Sequence, residues 1–246
     1  MSRLFEELDY QVTPIGAISL RRRHILSLGI DVHEVLLGDE HLMSSLFTAS
    51  EIALARLGIE ALEMAGKPPA DGWDIVVGGL GLGYTAAAAL EYKSVGKLTV
   101  VEFLAPVIEW HRAHLVPLDP PLTSDPRCSL READFFELAA SDEGFGAPKD
   151  AILIDIDHTP DWLLNERSGS FYSVEGMRKL ARHLKPGGVM GLWSDAVGDA
   201  DFTARMAEVF EAAWSEPVTF KNPLQDGKPF TQSVYLARKA GPGNSL

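Results

Sequence analysis

From Trp73 onward, short apolar runs alternate with segments whose apolar residues recur at helical spacing. The runs at 75–77, 97–103, 151–155 and 189–193 predict strands, because a strand covered on both faces is apolar on both sides. A further strand reads through Cys128 and Leu130 into Ala133-Asp134-Phe135, and a closing pair is predicted at 218–221 and 233–237. Helices are predicted over 84–92, 105–115, 172–184 and 200–213, with Pro186-Gly187-Gly188 ending one of them. Strands alternating with helices predict an α/β fold with a mostly parallel sheet and helices on both faces.

The first third reads differently. Residues 10–13 and 17–20 flank the turn signal Pro14-Ile15-Gly16, and 32–37 and 40–43 flank Gly38-Asp39, so a small antiparallel β element is predicted there. Thr48-Ala49-Ser50-Glu51 has the capping-box pattern. Ile52, Ala55, Ile59 and Leu62 then follow at helical spacing, and 67–72 reads as a linker. The expected division is 1–66, β-hairpin element plus connecting helix, and 67–246, nucleotide-binding domain.

Between the first buried strand and its helix lies Gly78-Gly79-Leu80-Gly81-Leu82-Gly83. Glycines in a strand-to-helix turn let the backbone approach a ligand and aim the helix N-terminus at it. A dinucleotide fingerprint needs Gly-x-Gly-x-x-Gly, and its last position falls on Tyr84. The next strand ends in Glu102, about 20 residues on, where such folds place a carboxylate for ribose hydroxyls. Asp134 and Asp155 end two more strands, so three carboxylates are expected along one crevice at the carboxyl ends of the sheet.

Composition narrows the partners. The 246 residues carry a formal net charge of −13 and a single cysteine, Cys128. An acidic chain lacks the basic footprint of a nucleic-acid binder, and one cysteine cannot form an internal disulfide. No segment approaches the ~20 apolar residues of a membrane span, and no signal-peptide pattern opens the chain. The expectation is a cytoplasmic protein. Arg21-Arg22-Arg23 reads as a solvated strand end, with an anion grip as the alternative. His111 and His114 read as a solvated helix face and not as a metal site, and no metal is expected. No Gly-x-Ser-x-Gly elbow or P-loop occurs.

These residues together resemble the spermidine synthases, aminopropyltransferases on the class I S-adenosylmethionine-dependent methyltransferase fold. The resemblance covers nearly the whole chain. It implies a Rossmann-like, mostly parallel seven-stranded sheet behind the small N-terminal β element. It implies S-adenosylmethionine or its decarboxylated form as donor, a small acceptor such as a polyamine, and a homodimer. Leu8-Asp9-Tyr10-Gln11 is similar to the family segment whose glutamine contacts the nucleoside. Gly79, Gly81 and Gly83 match its glycine loop. Glu102 matches the ribose acid, Asp134 the acid for the adenine amino group, and Asp155 the proposed catalytic base of Asp-x-x-Asp-Pro. The chain departs from the family at Leu82, aligned with the loop aspartate, and at His158, aligned with the second aspartate of that motif. The family's histidine–glutamate pair is not evident in 42–51, and Trp193-Ser194-Asp195 stands where the family commonly has a glutamine.

A sulfonium donor alkylates an amine only after the amine loses a proton, so a carboxylate within reach serves as base. Asp155 and Asp157 share a face if the strand continues; otherwise Asp157 caps backbone groups. His158 reads as base, donor to substrate, or loop histidine, and Trp162 as a stacking or a packing residue. Three readings follow: a spermidine synthase-like transferase, a small-molecule methyltransferase, and a non-catalytic nucleoside binder.

Overall fold

The computed structural model describes residues 4–161, 163–164, 166–241 and 243. Trp162 lies outside them, as does most of the C-terminal tail.

Four strands, β1 (Phe5–Thr13), β2 (Gly16–Ile25), β3 (Ile30–Leu37) and β4 (Glu40–Ser44), form an antiparallel meander in chain order. Its inner face carries Ile18, Leu20 and Val35, all buried. The arginine run lies on β2 against acids across the strands. Arg21 faces Glu7 at 3.7 Å, Arg22 faces Glu6 at 2.5 Å, and Arg23 faces Glu34 at 2.5 Å. It is thus a cross-strand ladder of ion pairs on an interior strand, and each arginine already has its anion.

Helix α1 (Ala49–Ala65) leads into the main sheet. Seven strands lie there in the order β10 (Ala212–Asn222), β11 (Lys228–Arg238), β9 (Leu184–Ser194), β8 (Lys149–Ile154), β5 (Trp73–Gly78), β6 (Val95–Glu102) and β7 (Cys128–Glu132). All neighbours from β9 to β7 run parallel, whereas β11 is antiparallel to both β9 and β10. The chain winds outward from β5 to β7 and then returns to β8 on β5's other side. The carboxyl ends of β5 and β8 are therefore the switch point, where open α/β sheets leave a crevice.

One core joins the two parts: Ile18, Leu20 and Val35 pack with Leu54 and Ile59 of α1 and with Ile75, Val77 and Leu153 of the sheet. A second cluster, with Phe135, Ile152, Met177, Phe202 and Tyr235, fills the opposite face.

Several boundaries differ from the sequence expectation. The strand β9 begins at Leu184 and runs through Pro186-Gly187-Gly188, because Gly187 takes a φ of 77° and its N–H bonds the carbonyl of Lys239. Helix α6 (Ala200–Ala207) stops early because Ala212 already pairs with Arg238. The third strand ends at Glu132, and Asp134 instead caps a short helix, α4 (Phe135–Ala140). Residues 166–172 form a 3-10 turn ahead of α5 (Val174–Arg182). The capping box at Thr48 does not form, since Thr48 makes no side-chain cap bond.

Candidate active site

A cavity of about 610 Å³ opens at the switch point, between the meander and the carboxyl ends of β5, β6 and β8. Its size is that of a small-molecule site. Gly79 and Gly81 line it, and Gly83 is the N-cap of helix α2 (Tyr84–Leu90), with a φ of 89°. A side chain on Gly79 would run into the carbonyl of Asp155, and one on Gly81 into the thioether of Met43. The backbone just beyond β8 requires glycine at 79, and the φ of 45° favours it at 81.

Glu102 leaves β6 with its carboxylate fixed by two backbone donors, Leu80 N–H at 2.9 Å and Leu104 N–H at 2.8 Å. Burial raises its pKa, against the lowering effect of these bonds. Asp134 lines the cavity while one of its oxygens accepts from Phe136 N–H at 2.8 Å. Phe135, Phe136 and Phe171 form an aromatic wall beside it.

Asp155 sits at the floor of the cavity just beyond β8, its N–H bonded to the Gly78 carbonyl at 2.8 Å. Thr85, at the start of α2, donates to Asp155 Oδ2 at 2.7 Å. Burial pushes the Asp155 pKa up to about 6. Because β8 ends at Ile154, Asp157 lies in the loop and does not share a strand face with Asp155. Its carboxylate accepts from Leu164 N–H and from the Tyr172 hydroxyl, both at 2.7 Å. Asp157 thus caps the loop, and it also lines the cavity. His158 lines the cavity and its Nε2 lies 3.2 Å from Glu40 Oε1, which ties the loop to β4. Gln11 does not line the cavity; its amide bonds Asp9 at 2.8 Å.

Leu82 needs a correction. Its side chain is fully buried in the core that joins the two parts of the chain, so it does not face the cavity. The loop positions that do are Gly79, Leu80 and Gly81. The absence of an acid in the glycine loop stands, but an acid would meet a ligand in the cavity from 79–81 and not from Leu82. Leu82→Asp is therefore expected to destabilise the protein by roughly 3 kcal/mol, the order for a polar group buried without partners, with no gain in ligand binding. Urea denaturation and calorimetry check both halves.

His111 corrects the sequence reading too. It lies on helix α3 (Ala105–Arg112), is 1% exposed, and its Nε2 meets the Gly81 carbonyl at 2.9 Å. Burial lowers its pKa, so a neutral imidazole buttresses the glycine loop from behind.

Sequence reasoning missed Glu51. It is 7% exposed, on the first turn of α1, and lines the cavity. Ser50 Oγ donates to it at 2.8 Å. Burial, then the Asp155 carboxylate, push its pKa up to about 8. The signal was spacing: Glu51, Leu54, Ala55 and Gly58 fall on one buried helical face, whereas Ile52, read as core, is 43% exposed. Asp195, beyond β9, completes the acid group; Gln232 on β11 donates to it at 2.6 Å.

No protein-family model matches the chain, and no curated protein does. Solved structures do. A spermidine synthase in complex with the transition-state analogue AdoDATO matches with a TM-score of 0.69 at 18% identity, over 95% of this chain and 74% of that one. The spermidine synthase from Thermotoga maritima matches with a TM-score of 0.67 at 18% identity, over 95% of this chain and 72% of that one. This chain has the Rossmann-like fold of the spermidine synthases, with an antiparallel N-terminal sheet in front of a mostly parallel seven-stranded one.

Proposed function

We propose that the protein is a spermidine synthase-like transferase that alkylates a small amine from an S-adenosylmethionine-type sulfonium donor. The observation that carries this reading is one cavity holding the glycine turn, Glu102, Asp134 and Asp155 together. Its two ends suit two tasks. The Glu102 carboxylate is oriented by backbone donors and retains lone pairs for ribose hydroxyls. Asp134 and the Phe135–Phe136–Phe171 wall suit a flat heterocycle with an amino group. Asp155, at the far side of the glycine turn, accepts a proton from the acceptor amine. Carboxylates there also favour a cationic donor. One fold neighbour was solved with AdoDATO, which fits the same use of the crevice.

A methyltransferase reading has its own support. Leu80, Gly81 and Leu82 offer no acid for the ammonium of a decarboxylated donor, whereas intact S-adenosylmethionine carries its own carboxylate. Mass spectrometry of the product decides: methylthioadenosine marks aminopropyl transfer and S-adenosylhomocysteine marks methyl transfer.

Binding is tested first. Methylthioadenosine should bind in calorimetry, and Gly81→Val should weaken it at least tenfold, because the new side chain meets Met43 and sits at a φ of 45°. Unchanged affinity in the variant removes the glycine turn from the site.

A further inference from the structure

The acceptor end of the cavity is divided by chemistry. The Thr85 hydroxyl donates to Asp155 Oδ2 at 2.7 Å and lies 3.3 Å from the backbone carbonyl of Glu51, and the carboxylates of Glu51 and Asp155, both lining the cavity, are close enough for the second to raise the pKa of the first. Asp195 belongs to the same group, close enough to raise the Glu51 pKa further. Neither Glu51 nor Asp155 has a lysine, arginine or histidine partner among the described residues; Glu51 is held only by Ser50 and its own backbone N–H, and Asp155 by Thr85. Buried carboxylates without a protein cation are costly, and a ligand ammonium is the complement that removes the cost.

The lining contributed by the meander and by Phe47 just after it is apolar: Ile15, Ile18, Val35, Leu37, Leu42 and Phe47. Only His41 and Ser44 interrupt it, and His41 lies 3.8 Å from Glu34. This wall has no acid for a second ammonium. A linear diamine carries a positive charge at each end, so one of its ends would be desolvated there without a partner.

We propose that the acceptor is a primary amine with a single positive charge and an apolar body, its ammonium seated between Glu51 and Asp155 and its body on the meander wall. This rests on the transferase reading above and names the substrate class for it. In the reaction the ammonium gives a proton to Asp155. The freed lone pair attacks the carbon bonded to the donor's sulfur, a C–N bond forms, and the C–S bond breaks with its electron pair left on sulfur. The products are a secondary ammonium and a neutral thioether, and Asp155 returns its proton to water. Glu51 orients the nucleophile throughout.

The test is calorimetric titration of 2-phenylethylamine and of putrescine into the protein, with and without saturating methylthioadenosine. Phenylethylamine should bind at least tenfold more tightly than putrescine, and Glu51→Gln should weaken it at least tenfold while methylthioadenosine binding stays within twofold. Leu42→Glu, which adds an acid to the apolar wall, should move the preference toward putrescine. Equal or tighter putrescine binding, no binding of either amine, or an indifferent Glu51→Gln overturns the proposal. If phenylethylamine binds as expected while methylthioadenosine does not, the acceptor class stands and the donor reading fails.

Discussion

Asp155→Asn is expected to leave methylthioadenosine affinity within about threefold and to lower the transfer rate by ~10²-fold or more, the range for loss of a positioned base. The asparagine carbonyl can still accept from Thr85, so the floor of the cavity keeps its shape. What disappears is the group that takes the amine's proton. The wild-type rate should fall as pH drops through about 6, because burial sets the Asp155 pKa there and only the ionised form is a base. Rates are read by mass spectrometry of the released thioether nucleoside, across a pH series, with the best amine from the binding panel. A variant with near wild-type turnover would leave Asp155 as a structural partner of Thr85 and nothing more.

The sheet was legible because each of its buried strands is a short apolar run, and a parallel strand has no other pattern available. The acids at the ends of those runs were legible for the same reason: a polar residue closing an apolar run lies where the sheet meets solvent. What failed was resolution within the glycine turn and around helix ends. Leu82 and Gly81 are one residue apart, yet Gly81 lines the cavity while Leu82 is buried in the core, and only the backbone decides which. Glu51 was hidden by a stronger local pattern. Thr48-x-x-Glu51 fits a capping box, but the tertiary environment rotates Glu51 into the cavity and leaves Thr48 uncapped. His111 was hidden because a helical histidine looks the same whether it faces solvent or a backbone carbonyl.

Glu51 should make the protein less stable as pH rises. Its ordinary pKa is 4.5 and the folded protein raises it to about 8, through burial first and the Asp155 carboxylate second. Between those values the folded state keeps a proton that the unfolded chain has released. Stability therefore falls with pH from about 4.5 to about 8, the opposite of the usual salt-bridged carboxylate. Asp155 adds the same sign between 3.8 and about 6. The steepest possible slope is about 1.4 kcal/mol per pH unit per group, so the Glu51 contribution over the window is on the order of a few kcal/mol. Glu51→Gln removes it, and also relieves Asp155 of its acidic neighbour. Urea denaturation of both proteins at pH 5.5, 7 and 8.5 gives the difference directly. Contributions from Glu102, Asp157 and His111 occur in both proteins and cancel. The variant's advantage should grow by roughly 2 kcal/mol or more from the lowest to the highest pH, and 2-phenylethylamine should restore stability to the wild type alone. Parallel stability curves would show that Glu51 titrates as an ordinary surface acid. Glu51 would then not be the desolvated carboxyl without a protein cation on which the acceptor reading rests.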